Sequence, residues 1–160
     1  MKNKITKYIL LAFTCLGLQA CLFQEDDIFE KSSANRASEN VAELQELLVN
    51  VPNGWKMEYY PGTDYSMGGI TLLCRFDGNN VTLMSEVGSV KTASGKEASS
   101  LYKVTSEEST VLTFDSFNEF IHCFSEPIMG MNTNLEGDYE FVYMGQEDNK
   151  VILQGRRSHN

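Results

Sequence analysis

Histidine is scarce in this chain. His122 and His159 are the only two in 160 residues. A structural or catalytic zinc site draws on several His and Cys ligands at close spacing, and two isolated imidazoles do not supply one. The common catalytic motifs are missing too: there is no G-x-S-x-G, no H-E-x-x-H, no Walker loop and no dinucleotide fingerprint. The stretch "GSVKTASGKE" is only superficially like a phosphate-binding loop. Its first glycine is misplaced, and Glu97 stands where Ser or Thr would hold magnesium. With 22 acidic residues, adjacent carboxylates arise by chance, and Glu107-Glu108 and Glu147-Asp148 read as solvated turns rather than a general acid and base. No acidic loop has calcium-hand spacing. The sequence therefore predicts no enzyme, no metal and no cofactor.

Basic clusters are lacking as well. The chain has 13 Lys and Arg against 22 Asp and Glu, a net charge of −9, and only Arg156 and Arg157 are adjacent. Nucleic acid and anionic membrane surfaces both need a basic footprint, so neither is expected as a partner of the folded domain.

An apolar run of ~20 residues, enough to span a bilayer, is also absent. The chain opens instead with "MKNKITKYILLAFTCLGLQAC", in which Lys2, Lys4 and Lys7 precede 11 mostly apolar residues, 8–18. That is the layout of a secretory signal over residues 1–20. Leu18 is too large for the position three before an ordinary signal-peptidase cut, although Ala20 suits the position before it. The run Leu18-Gln19-Ala20-Cys21 instead resembles the lipobox of bacterial lipoproteins, with Gln19 a less common choice. That resemblance implies a lipidated Cys21, where three acyl chains would far exceed the marginal hold of one. A plain signal peptide and an uncleaved anchor are the alternatives. Glu25, Asp26 and Asp27 follow closely and resemble the acidic export signal of Bacteroidota-type lipoproteins that face outward from the outer membrane. They read equally as a charged, extended tether over residues 21–33. Removing residues 1–20 leaves 10 basic and 22 acidic residues.

The remaining stretch, 34–157, is expected to fold as one helix-plus-β domain. Ala37, Val41, Leu44 and Leu48 share one helical face, and Asn50, Pro52 and Gly54 stop that helix. The period then shifts to two. "WKMEYY", "ITLLCRF", "VTLMSEV", "SLYKVTS", "TVLTFD", "YEFVYMG" and "KVILQGRR" read as strands, with "DGNN" and "QEDN" as turns. "VKTASGKEASS" reads as a polar hairpin tip. In "SFNEFIHCF", Phe117, Phe120, Ile121 and Phe124 recur at helical spacing, which predicts a short central helix capped by Asp115 or Ser116 and ended by Pro127. His122 points away from that stripe and is expected at the surface. Sequential strands with short turns predict an α+β fold dominated by an antiparallel β-meander, a lipocalin-like half-barrel. Cys74 and Cys123 are the cysteines left for the domain; in an exported protein they could oxidise to a disulfide, and the alternative, slightly favoured with two cysteines alone, is a pair of buried free thiols.

Four stretches, "EDDIFEKSSANRASENVAELQELL", "PNGWKMEYYPGTDYSMGG", "VLTFDSFNEFIHCFSEP" and "GDYEFVYMG", together resemble a Bacteroidota family of uncharacterised surface lipoproteins. The likeness covers most of residues 21–157 and implies an outer-membrane, outward-facing location, without a mechanism. Members of that family look longer, so "GRRSHN" just after a strand reads as the end of a shortened copy.

The positive chemical feature is aromatic. Trp55, Tyr59, Tyr60 and Tyr65 cluster around Pro61 and Asp64. Sugar rings stack on flat aromatics while a nearby carboxylate accepts hydroxyl protons, so Trp55, Tyr60, Asp64 and Tyr65 are candidate ligand-binding residues. The competing reading puts Trp55 and Tyr59 in the core and Tyr60 at a sheet edge. Two roles follow: a surface module that binds a glycan or other nutrient, or a structural subunit docking on an outer-membrane protein partner.

Overall fold

The computed structural model describes residues 32–127 and 135–160. Cys21, Glu25, Asp26 and Asp27 lie outside the described residues. The folded unit begins at Ser33.

Helix α1, Ser33–Val49, turns the predicted stripe inward: Leu44 and Leu48 are buried, while Val41 packs at the margin of the core. It lies against the second, fourth and fifth strands. Full burial of a leucine contributes about 1.5–3 kcal/mol, so docking rather than helix propensity fixes α1. No helix among the described residues is long and apolar enough to cross a membrane.

Among the described residues seven strands follow in a single sheet, each paired antiparallel with the next: β1 Trp55–Tyr59, β2 Ile70–Asp77, β3 Asn80–Ser85, β4 Glu97–Ser106, β5 Thr110–Phe114, β6 Glu140–Glu147 and β7 Lys150–Gly155. Side-chain alternation builds the core. Leu72, Cys74 and Phe76 of β2 face inward with Val81 and Leu83 of β3 and Tyr102 and Val104 of β4, while Leu73, Arg75 and Asp77 face out. The β2–β3 hairpin turns through Gly78 at φ +57°, the glycine-first geometry that suits the twist of paired strands. In β6 a bulge between Tyr143 and Gly145 interrupts the alternation. The sheet curls into the expected half-barrel. The Tyr59 ring on β1 meets the Phe141 ring on β6 edge-on at 6.0 Å, across the interior.

Two elements differ from their sequence signals. Strand β4 starts at Glu97, so "EASS" belongs to the ladder rather than to a hairpin tip. The small side chains of Ala98 and Ser100 leave room there for Asn118, which is fully buried. Asn118 donates from Nδ2 to the Ala98 carbonyl (3.0 Å) and the Ser100 hydroxyl (3.1 Å), and its Oδ1 accepts from the Phe120 amide (3.1 Å). This side chain also explains the second difference. The predicted central helix is reduced to one 3-10 turn, His122–Phe124. Asn118 bonds its own backbone two residues on and starts a turn instead, in a segment too short to nucleate a helix. Phe120, Ile121 and Phe124 still reach the core, but Phe117 stays exposed.

Candidate functional site

Six successive antiparallel pairings leave β1 and β7 at the two ends of the sheet, running in the same direction. A groove of about 640 Å³ lies along both. Its walls are Trp55 and Met57 from β1 and Val151 and Leu153 from β7, and its floor includes Phe76 and Phe141. One end is stitched. Tyr59 Oη donates to the Asp138 carbonyl at 2.9 Å. The Asp138 carboxylate accepts from the Arg157 amide (2.8 Å) and the Ser158 amide (3.0 Å). Asn160 Nδ2 then donates to the carbonyls of Tyr60 and Gly62, just past the end of β1. Gly155 is required at this point, because a Cβ there would sit 2.4 Å from Asp138 Oδ2.

Three of the four residues singled out from the sequence meet at this groove. Trp55 is partly buried, and its Nε1 donates to the Leu48 carbonyl at 3.0 Å, which fixes the indole in the wall. Tyr60 and Tyr65 stand at the lip, 37% and 59% exposed. Their rings are 5.3 Å apart at 85°, edge to face, so they do not form one flat shelf. Tyr60 lies over Gly69, where a Cβ would come within 2.8 Å of the ring. Asp64 does not line the groove. It is exposed in the loop, and both Asp64 (φ +54°) and Tyr65 (φ +55°) adopt the left-handed conformation. Consecutive non-glycine residues there cost about 1–2 kcal/mol each, and such strain gathers at ligand-binding loops.

The groove's rim is charged and its interior apolar. Lys56 Nζ and Glu58 Oε1 pair at 2.7 Å on the solvent side of β1. That pairing raises the Lys56 pKa and lowers that of Glu58, with Lys150 on β7 adding to the latter. At this exposure the pair adds little stability. Cys74 borders the groove, but burial pushes its thiol up to about 12, which keeps it protonated and unreactive. Cys123 is free as well, and burial raises it to about 11.

His122 is not the exposed side chain its position in the sequence suggested. It is half-buried between Phe117 (5.4 Å) and Tyr139 (4.8 Å, nearly parallel), with Nδ1 accepting from the Asn118 amide. Burial holds its pKa below the ordinary value. Among the described residues no three His, Cys, Asp or Glu side chains are placed to hold a metal ion.

The β7 wall, Asp138 and Asn160 were not recognised from the sequence as part of a site. Val151 and Leu153 carry a visible period of two, but nothing local says that the last strand faces the first across a gap.

Fold and groove together define an open seven-stranded antiparallel meander, closed on one side by a helix and cleft along its seam. The chain belongs to the family described as Domain of unknown function (DUF4302), whose model matches residues 25–160. No curated protein matches the chain, and no solved structure does.

Proposed function

We propose that this protein is a lipid-anchored protein of the outer membrane, displayed outward, whose seam groove binds a small ligand, a glycan or another nutrient. The observation that carries the reading is the convergence of Trp55, Tyr60 and Tyr65 on one groove of about 640 Å³, within the size range of ligand pockets. A strained loop holds Tyr65 at the lip, where it would contact ligand without being needed by the core. Anchoring is assigned to Cys21 and outward export to Glu25, Asp26 and Asp27. The role is binding rather than catalysis: Cys74, the thiol in the groove, is held protonated, and His122 is outside the groove.

The test is a thermal-shift screen of glycans and small nutrients. A ligand at a hundred times its dissociation constant adds about 2.7 kcal/mol, which is readily seen. Tyr65→Ala should abolish the shift and leave the unliganded melting temperature unchanged. A screen without shifts, combined with a destabilised Tyr65→Ala protein, contradicts the reading. For the anchor, Cys21→Ala should move the protein out of the membrane fraction and end labelling by a fatty acid.

A further inference from the structure

The groove differs from an ordinary apolar pocket in what flanks it. Its long sides are two strand edges, and each edge presents alternate backbone N–H and C=O groups that no neighbouring strand pairs among the described residues, although at Gly155 the amide and carbonyl already bond Asn160 and His159 of the tail. The two edges run in the same direction, so one added strand of opposite direction would be antiparallel to both. At the closed end the gap is already bridged in this way by a side chain. Asn160, from the tail after β7, donates to the Tyr60 and Gly62 carbonyls, supplying what a neighbouring strand's amides would supply. Among the described residues the rest of the seam has no such bridge.

We propose that the ligand of this groove is an extended peptide, which enters as an eighth strand antiparallel to β1 and β7. The proposal rests on the groove being a binding site and names its ligand class. Strand β1 has five residues and β7 six, so the bound segment is about five or six residues long at ~3.3 Å each. Its side chains must alternate. Those facing in would pack on Trp55, Met57, Val151 and Leu153. Those facing out would lie between Lys56 and Glu58 on one side and Lys150 and Ile152 on the other, which suits residues with a charged or polar head on an apolar stem. The Tyr60 and Tyr65 rings touch edge to face and so offer no coplanar shelf on which a sugar chain would stack, which favours the same class.

Trp55, the only tryptophan in the chain, lines the groove, so its emission reports occupancy directly. The probes are acetylated, amidated hexapeptides alternating Val or Leu with Thr, Glu or Lys. They are to be titrated against the protein while Trp55 fluorescence is followed, with single N-methylations along each binder. A saturable change in emission is expected, with at least tenfold weaker binding on N-methylation of every internal amide, because both edges use the peptide backbone. Loss at alternate amides only would place the peptide on one edge and overturn the closure. Binding insensitive to N-methylation would overturn strand addition. Glycans that change Trp55 emission where all these peptides fail would overturn the peptide assignment and leave the binding groove standing. Silence from peptides and glycans alike would count against both.

Discussion

The centre of the sheet and its seam are built from the same kind of strand and do different things. In β2 to β5 each strand is paired on both sides, inward residues are buried, and a buried asparagine has its side chain satisfied. In β1 and β7 each strand is paired on one side, its inward residues remain partly exposed apart from the ends near Tyr59 and Gly155, and a groove separates the two. The lesson is a division of labour. Pairing and burial at the centre hold the fold, while β1 and β7 each lack a second strand neighbour among the described residues and border the groove proposed to bind a ligand.

That contrast fixes an order of effects. Leu44→Asp places a charge where α1 meets β2, β4 and β5, and should cost more than about 3 kcal/mol, or prevent folding. Urea unfolding measures it, and an unchanged midpoint would mean that α1 does not dock. Asn118→Ala removes a buried side chain with three hydrogen bonds and should cost about 2 kcal/mol in the same assay.

At the seam the sign should reverse. Tyr65→Gly relieves a left-handed residue, partly offset by glycine's greater freedom in the unfolded chain, and should stabilise by about 0.5 kcal/mol while weakening any groove ligand. Lower stability in that variant would put Tyr65 with the core.

The smallest effect is a pH dependence. Burial depresses the folded pKa of His122 from its ordinary 6.5, so the unfolded chain takes up a proton that the folded chain resists. The stabilising contribution is therefore whole above the unfolded value and is lost as pH falls through that window towards the folded pKa. His122→Gln should lose less stability than the parent between neutral pH and about pH 5. Parallel slopes would mean that burial of His122 contributes nothing.

Much of the centre was legible because it obeys local rules. "ITLLCRFDGNNVTLMSEV" carries period-two alternation around a glycine turn, and the Leu44/Leu48 stripe carries a helical one. The segment around Phe117 was misread because a single polar side chain, Asn118, outweighs its helical spacing, and its acceptors on β4 lie about 20 residues away. The β4 start was missed for the reciprocal reason: Ala98 and Ser100 look like loop residues until Asn118 fills the space above them. At the site, Trp55, Tyr60 and Tyr65 were visible as a local aromatic cluster. Asp64 was grouped with them by proximity in sequence, but the left-handed turn leaves it outside the groove. The β7 wall depends on how far the sheet curls, and curl is a property of all seven strands together.

The most direct test of an open seam is residue-resolved amide hydrogen exchange on the unliganded domain. Alternate amides of Trp55–Tyr59 and of residues 150–154 should exchange orders of magnitude faster than those of β3 to β5, because among the described residues they face the groove without a strand partner. Protection in β1 and β7 equal to that of β3 to β5 would mean that the seam is closed in solution and would contradict the account.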